Sequence, residues 1–308
     1  MTEMQGELRE DIRLAAGELV SVRDFLRFAV SNFTAAGLVY GHGTTSALDE
    51  AAFLILASLK LPIHEMEPWL DARLTTPERR HLADVIAQRI ETRKPAPYIV
   101  GEAWIGPYSF RADERVIVPR SFIGELLLGG ADDLFDVSGG VQSALDLCTG
   151  SGCLAILLAQ VFPDAEIVGA DVSDDALAVA RENVGDYGLE EQVSLVQSDL
   201  FAGLKGQQFD LIVSNPPYVR TETVVNFPPE YAAEPALAHD GGEDGLELVR
   251  LILRGAAAHL ATGGVIVVEV GQERELIEAE YPDTAFQWLD TELSAGEVFM
   301  LRKEDLPG

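Results

Sequence analysis

The chain has 308 residues, 47% hydrophobic and 24% charged, which is enough for a large α/β core plus a smaller second domain. No apolar run approaches the roughly 20 residues needed to cross a bilayer, and Met1 to Glu10 is polar and acidic rather than basic then apolar, so a cytoplasmic location is expected. A formal charge of −29 repels phosphate backbones and attracts cationic partners, which disfavours nucleic acid as a substrate. Charge alone names no partner, and the same acidity would equally serve solubility or a salty interior. Only Cys148 and Cys153 are present, flanking one turn, so two reduced thiols are expected rather than a disulfide.

From Leu8 to about Ile90 the pattern is helical. Leu19, Val22, Phe25, Leu26 and Ala29 recur at three and four residues, and Ala51 to Leu61 is a compact apolar helix. Thr76-Pro77-Glu78 opens the last of these helices and Lys94-Pro95-Ala96-Pro97 ends it. Between Tyr98 and Pro119, aromatic and β-branched residues surround Gly-Pro and Ala-Asp-Glu turn signals, which predicts a β-hairpin.

After Ser143 short apolar strands alternate with helices, the signature of crossover units on a mostly parallel sheet. The predicted strands are Ser143–Leu147, Glu166–Asp171, Val193–Gln197, Phe209–Ser214, Gly264–Val270, Phe286–Asp290 and Val298–Leu301. Helices are expected at Leu154–Phe162, Asp174–Val184, Leu246–Leu260 and Glu273–Glu280, with Ser173 or Asp174 capping the second. The domains expected are therefore a helical one over 1–97 for substrate recognition, a hairpin linker over 98–120, and a doubly wound seven-stranded α/β domain over 121–308.

Asp146 to Gly152 sits where the first strand of that sheet turns into its first helix. Gly150 and Gly152 let a ligand approach the backbone at a helix N-terminus with free N–H groups. Asp171 ends the second strand, where an acid meets the ribose hydroxyls of a nucleoside. Asp199 ends the third, where a carboxylate can accept from an adenine amino group while Leu200 covers the ring. The glycine turn has a plainer explanation as a tight connection and Asp171 as a helix cap, but with Asp199, outside the carboxyl ends of three strands, they fit one adenosine. A nicotinamide dehydrogenase would use similar residues, although Ala155 stands where the full glycine fingerprint has its third glycine.

Asn215-Pro216-Pro217-Tyr218 follows the fourth strand and decides between those readings. Two prolines fix the chain and remove two N–H donors, leaving carbonyl acceptors at the cleft. An amide or exocyclic amine is a poor nucleophile because its lone pair is delocalised. If the Asn215 side-chain oxygen and the Pro216 carbonyl each accept one N–H, the nitrogen is held with its lone pair aimed at a methyl carbon, and Tyr218 packs on the planar group. Acceptors aimed at those N–H groups act more strongly as the nitrogen becomes positive. The fold class expected is thus a class I S-adenosylmethionine-dependent methyltransferase acting on a planar nitrogen, with no metal.

Asp146 to Gly152, Asp171, Ser198 to Phe201 and Asn215 to Tyr218 resemble the HemK-like family of protein glutamine N5-methyltransferases over essentially the whole chain. Tyr40-Gly41-His42-Gly43-Thr44, Asp113 to Ser121 and Thr149 to Cys153 are similar to its PrmB branch, whose members modify large-subunit ribosomal protein three. The resemblance implies that Cys148, Thr149, Gly150, Ser151, Gly152, Asp171 and Leu200 border S-adenosyl-L-methionine, alongside the Asp199 read above, and that Asn215 to Tyr218 hold the glutamine amide. The implied partner is that basic ribosomal protein, free or in early assembly, without DNA or membrane. The release-factor branch carries Pro-Glu-Thr-Glu after its proline-arginine, whereas Ser121-Phe122-Ile123-Gly124-Glu125 stands here. His42, between two glycines, reads as a turn residue or a substrate-facing one.

Three other functions compete. A release-factor glutamine methyltransferase shares the motifs. A DNA adenine N6-methyltransferase uses the same clamp on an exocyclic amine, but 22 Lys and Arg against 51 Asp and Glu leave no basic recognition block. A ribosome-assembly factor that merely retains a cofactor pocket would need no intact clamp.

Overall fold

A computed structural model describes residues 12–130, 137, 140–291 and 294–307, so the expected helical start at Leu8 lies outside the described residues. The chain divides into two units. One runs to Glu102 and takes in Phe227–Ala233 as well; the other holds Ala103–Asn226 and Glu234 onward.

In the first unit, α1 (Val22–Ala35) starts where Ser21 and Asp24 cap each other's backbone N–H groups. Leu19, expected inside this helix, precedes that cap. Val22, Phe25, Ala29 and Phe33 then fall on one face and are buried. α2 (Ala47–Ser58) is capped by Ser46 and buries Leu54 and Ile55. α3 (Thr76–Thr92) is capped by Thr75, one residue before the expected position, because Thr75 forms the reciprocal pair with Glu78. It ends on Arg93 at φ +62°. The segment Tyr98–Val100, expected as extended, lies in a short helix α4 (Ala96–Val100). Pro97 presets the first turn and Gly101 at φ +79° closes it.

The hairpin is confined to β1 (Glu102–Ile105) and β2 (Tyr108–Arg111). A helix that the periodicity did not announce, α5 (Phe122–Leu128), follows Ser121, whose hydroxyl accepts from the Ile123 N–H. The large sheet contains β3 (Ser143–Leu147), β4 (Glu166–Asp171), β5 (Val193–Gln197), β6 (Phe209–Ser214), β7 (Leu260–Glu269), β8 (Gln287–Leu289) and β9 (Val298–Arg302). Its order is β5-β4-β3-β6-β7-β9-β8, parallel except for β9, which runs antiparallel to both neighbours. β7 begins four residues earlier than expected. Leu260 already pairs with Phe209, and the register then shifts to Leu211 with Val265, so the glycines that read as a turn form an irregularity inside the strand.

Side-chain alternation along the strands feeds two cores. Leu211, Val213, Val265 and Val267 pack with Leu154 and Leu157 of α6 (Cys153–Val161). Leu145, Ile212 and Ile266 pack with Val249, Ile252 and Leu253 of α9 (Glu247–His259). Among the described residues this unit also holds the helices α7 (Asp174–Asp186), α8 (Thr221–Val225) and α10 (Arg274–Glu280), with Ser173 capping α7. The order reverses between β3 and β6, and the crevice at such a switch point is where open α/β sheets bind ligands.

Candidate active site

Beyond the ends of β3, β4, β5 and β6 lies a cavity of about 280 Å³. Its first wall is the turn from β3 into α6. Asp146, wholly buried, accepts from the Thr149 hydroxyl and from the Ala155 N–H, tying the turn to its own helix. Burial raises its carboxyl to about 7. Cys148, Gly150 and Gly152 all take positive φ, at +65°, +54° and +79°. A Cβ on Gly150 would meet nothing within 4 Å, whereas one on Gly152 would sit 3.1 Å from the Ala180 Cβ of α7. Gly150 therefore opens onto the cavity, and Gly152, at positive φ, faces α7 closely. Both cysteines are free thiols, raised by burial.

Asp171 closes the second wall. Its Oδ2 accepts from the Gly150 N–H and its Oδ1 from the Ser173 N–H, each at 2.9 Å, so the acid holds the glycine turn and the start of α7 together. Burial raises this carboxyl above its ordinary range. Asp199 and Leu200 form the third wall, where Leu200 is held at φ +45° with its carbonyl bonded by the Ser198 hydroxyl. A non-glycine residue at positive φ is strained, and two such residues bordering one cavity mark a built site.

Asn215 and Pro217 supply the fourth wall. The Asn215 Nδ2 donates to the Arg120 carbonyl at 3.3 Å, which leaves Oδ1 as the acceptor this side chain can offer a ligand. Of the residues expected at the site, Cys148, Thr149, Gly150, Ser151, Asp171, Asp199, Leu200, Asn215 and Pro217 line the cavity. Gly152, Pro216 and Tyr218 are not among its lining residues. Pro216 is buried, and Tyr218 packs against Gly271, where a Cβ would lie 2.7 Å from its ring. The Tyr218 hydroxyl donates to Glu269 Oε1 at 3.1 Å, and burial raises its phenol well above the ordinary value.

Several residues around the cavity escaped sequence reasoning. Glu269, at the end of β7, accepts from the Tyr218 hydroxyl, the Ser121 hydroxyl and the Phe122 N–H. Burial raises it to about 7. Glu234 has no exposed side chain and receives the Val118 N–H, both terminal nitrogens of Arg120, and His239. From Glu234 the chain passes over the cavity through Pro235, Leu237 and Ala238. A strand-end acid in place of a hydrophobic residue would have flagged Glu269; nothing periodic surrounds Glu234.

Among the described residues no helix is long and apolar enough to cross a membrane. Residues 134–228 match the Methyltransferase small domain family. The chain is 52% identical over 294 residues to the ribosomal protein uL3 glutamine methyltransferase of Neisseria meningitidis, covering 96% of this chain and 97% of that one. The protein of the same description from Bradyrhizobium diazoefficiens is 49% identical over 300 residues, covering 96% and 94%. That from Bordetella pertussis is 47% identical over 289 residues, covering 94% and 97%. With that identity spanning both chains, and a cavity at the sheet's switch point, the chain belongs to the family of ribosomal protein uL3 glutamine methyltransferases.

Proposed function

We propose that the chain methylates the side-chain amide nitrogen of a glutamine in ribosomal protein uL3, using S-adenosyl-L-methionine. The residues present fit that cofactor: a glycine opening onto the cavity, an acid ending β4, another just after β5, and the apolar Leu200 beside it. Cys148, Thr149, Gly150, Ser151, Asp171, Asp199 and Leu200 would border it. Gly152 supports the turn from behind. The cofactor supplies an electrophilic methyl carbon on a sulfonium.

The observation that carries the reading is the Asn215 side chain at the cavity wall, whose nitrogen is committed to the Arg120 carbonyl and whose oxygen is left as its acceptor. Accepting one N–H of the glutamine amide there, with the carbonyl of Pro216, a residue outside the cavity lining, as the expected acceptor for the other, would hold the nitrogen with its lone pair toward the methyl group. The acceptors strengthen as positive charge builds on nitrogen, so they favour the transition state over the bound substrate. Pro217 holds the turn rigid, and Tyr218, tied to Glu269, braces it from behind.

The helical unit, which carries none of the cavity's residues, serves recognition of the protein substrate. A charge of −29 suits a basic ribosomal protein, free or in early assembly, and such a substrate places the reaction in the cytoplasm. Incubating the chain with radiolabelled methyl donor and, separately, free uL3, a release factor and duplex DNA tests the assignment. Label on a uL3 glutamine amide is expected; label confined to the release factor or to DNA would overturn it.

A further inference from the structure

The ends of β6 and β7 stand side by side. Ser214 pairs with Val268 in parallel register, so Asn215 and Glu269 are the next residues on neighbouring strands. Glu269 is 3% exposed and is not among the residues lining the cavity. A carboxyl group is buried in such a place only where donors receive it, because an uncompensated buried charge is very costly. Its two oxygens are divided between two segments of the chain. Oε1 accepts from the Tyr218 hydroxyl at 3.1 Å, whereas Oε2 accepts from the Ser121 hydroxyl at 2.8 Å and from the Phe122 N–H at 3.0 Å.

Each segment carries one partner of the hydrogen bond that orients Asn215. Tyr218 ends the Asn215–Tyr218 turn, and the two prolines between leave that turn little freedom, so anchoring Tyr218 anchors Asn215. Ser121 and Phe122 directly follow Arg120, whose carbonyl receives the Asn215 Nδ2 at 3.3 Å. That carbonyl shares one planar peptide with the Ser121 nitrogen, so holding Ser121 and Phe122 fixes where the acceptor stands. The two ends of an asparagine amide are alike in shape and differ in whether they donate or accept. Reversed, Asn215 would aim N–H donors at a substrate –NH2 group and hold neither of its hydrogens. The Arg120 carbonyl therefore sets the polarity of the clamp, and Glu269 holds both sides of that contact.

We propose that Glu269 is a positioning residue for methyl transfer, tying the Asn215–Tyr218 turn to the Arg120–Phe122 segment so that Asn215 presents its oxygen to the glutamine amide. It acts through Asn215 rather than on the substrate, because it stands outside the cavity lining with both oxygens engaged. The proposal rests on the methyl-transfer reading above, and every residue it uses lies in the catalytic unit.

The test uses the full chain, carrying isotopically labelled asparagine for nuclear magnetic resonance. Asparagine occurs only as Asn32, Asn183, Asn215 and Asn226, and Asn215→Ala identifies one pair of side-chain signals by its loss. Glu269→Gln keeps an acceptor for one segment and turns an –NH2 group to the other. It is expected to shift the Asn215 side-chain signals while those of Asn183, buried and bonded to the Ser151 carbonyl, stay in place. On free uL3 it should lower kcat about tenfold, with KM and cofactor affinity within about twofold of the parent. In an Asn215→Ala background the same change should cost less than about twofold, since a residue that acts through Asn215 then has nothing to act on. Should Glu269→Gln fail to fold, seen as displaced Asn183 signals, Tyr218→Phe decides. It removes only the bond to Oε1, keeps the ring against Gly271, and should shift the same signals and lower kcat about threefold. Unmoved Asn215 signals in a folded variant would overturn the proposal. So would a full tenfold loss in the Asn215→Ala background, which is the outcome expected if Glu269 transferred a proton itself. Shifted Asn215 signals in a chain whose parent labels no glutamine would leave the tie to Asn215 standing and overturn the methyl-transfer reading instead.

Discussion

Arg120 grips Glu234 through two parallel hydrogen bonds, Nη1 to Oε1 at 2.7 Å and Nη2 to Oε2 at 2.8 Å. The carbonyl of the same arginine receives the Asn215 Nδ2. One residue therefore ties the wall segment that begins at Glu234 to the side chain that would hold the substrate amide. Removing one partner of a buried pair leaves the other charge uncompensated, at a cost of about 3–5 kcal/mol. Arg120→Ala is expected to destabilise the catalytic unit by roughly the lower end of that range, because Arg120 is 27% exposed. Arg120→Lys, which keeps the charge but loses the fork, should fall between parent and alanine. Scanning calorimetry checks this; equal unfolding temperatures for the parent and both variants would contradict it.

Cofactor affinity should separate the two glycines of the β3–α6 turn. Gly150→Val projects a side chain into the cavity from φ +54° and should weaken S-adenosylmethionine binding more than about tenfold. Asp171→Ala should also weaken it, through loss of the acid that holds the Gly150 N–H. Gly152→Ala meets Ala180 instead, and should lower stability more than affinity. Titration calorimetry reads all three; parental affinity in Gly150→Val and Asp171→Ala would remove this cleft from cofactor binding.

Stability should carry the signature of the buried Glu269. Its carboxyl is raised to about 7 from an ordinary 4.5, so between those values the folded chain holds a proton that the unfolded chain has released. The resulting stability is full below the lower value and is lost as pH rises through the upper one. Asp146 acts in the same direction. The Tm of the parent is expected to fall from about pH 5 to about pH 8, and that of Glu269→Gln to fall less. Parallel curves for the two proteins would contradict the assignment.

The parts of this fold that repeat were legible in the chain. β3, β4 and β6 stand where short, mostly apolar runs end in Leu147, Asp171 and Ser214, because a central parallel strand is largely buried on both faces, and β5, at the sheet's edge, was marked by its β-branched Val193 and Val196. Asp171, Asp199 and Asn215 were visible for the same reason, since a polar residue closing such a run sits at the sheet's ligand edge. What escaped depends on distant partners. Glu234 becomes a wall anchor only because Arg120 and Val118 meet it, and Glu230 a buried acid only because Arg93 and Val39 do. Gly152 read as a ligand glycine, and its contact with Ala180 of α7 was not readable from the sequence. α5 was missed because its seven residues span barely two turns, too few for a period to show.

Substrate capture by an acidic surface should respond to salt. The KM for uL3 is expected to rise severalfold between about 0.05 M and about 0.3 M salt, as screening shortens the reach of the −29 charge. Cofactor affinity, set inside the cavity, should change far less. A KM for uL3 that ignores ionic strength would show that the acidity serves something other than this partner.

Whether Asn215 accepts from the glutamine amide in the transition state is read from the turnover of Asn215→Ala on free uL3. Removing one preorganised polar contact to a developing charge costs about 2.7–4 kcal/mol, or ~10²–10³ in rate. A kcat reduced by that factor with cofactor affinity retained is expected, and more activity in Asn215→Asp than in alanine, since the aspartate keeps an acceptor. An Asn215→Ala kcat within about threefold of the parent would contradict it, because an interaction made only in the transition state cannot be removed without lowering kcat.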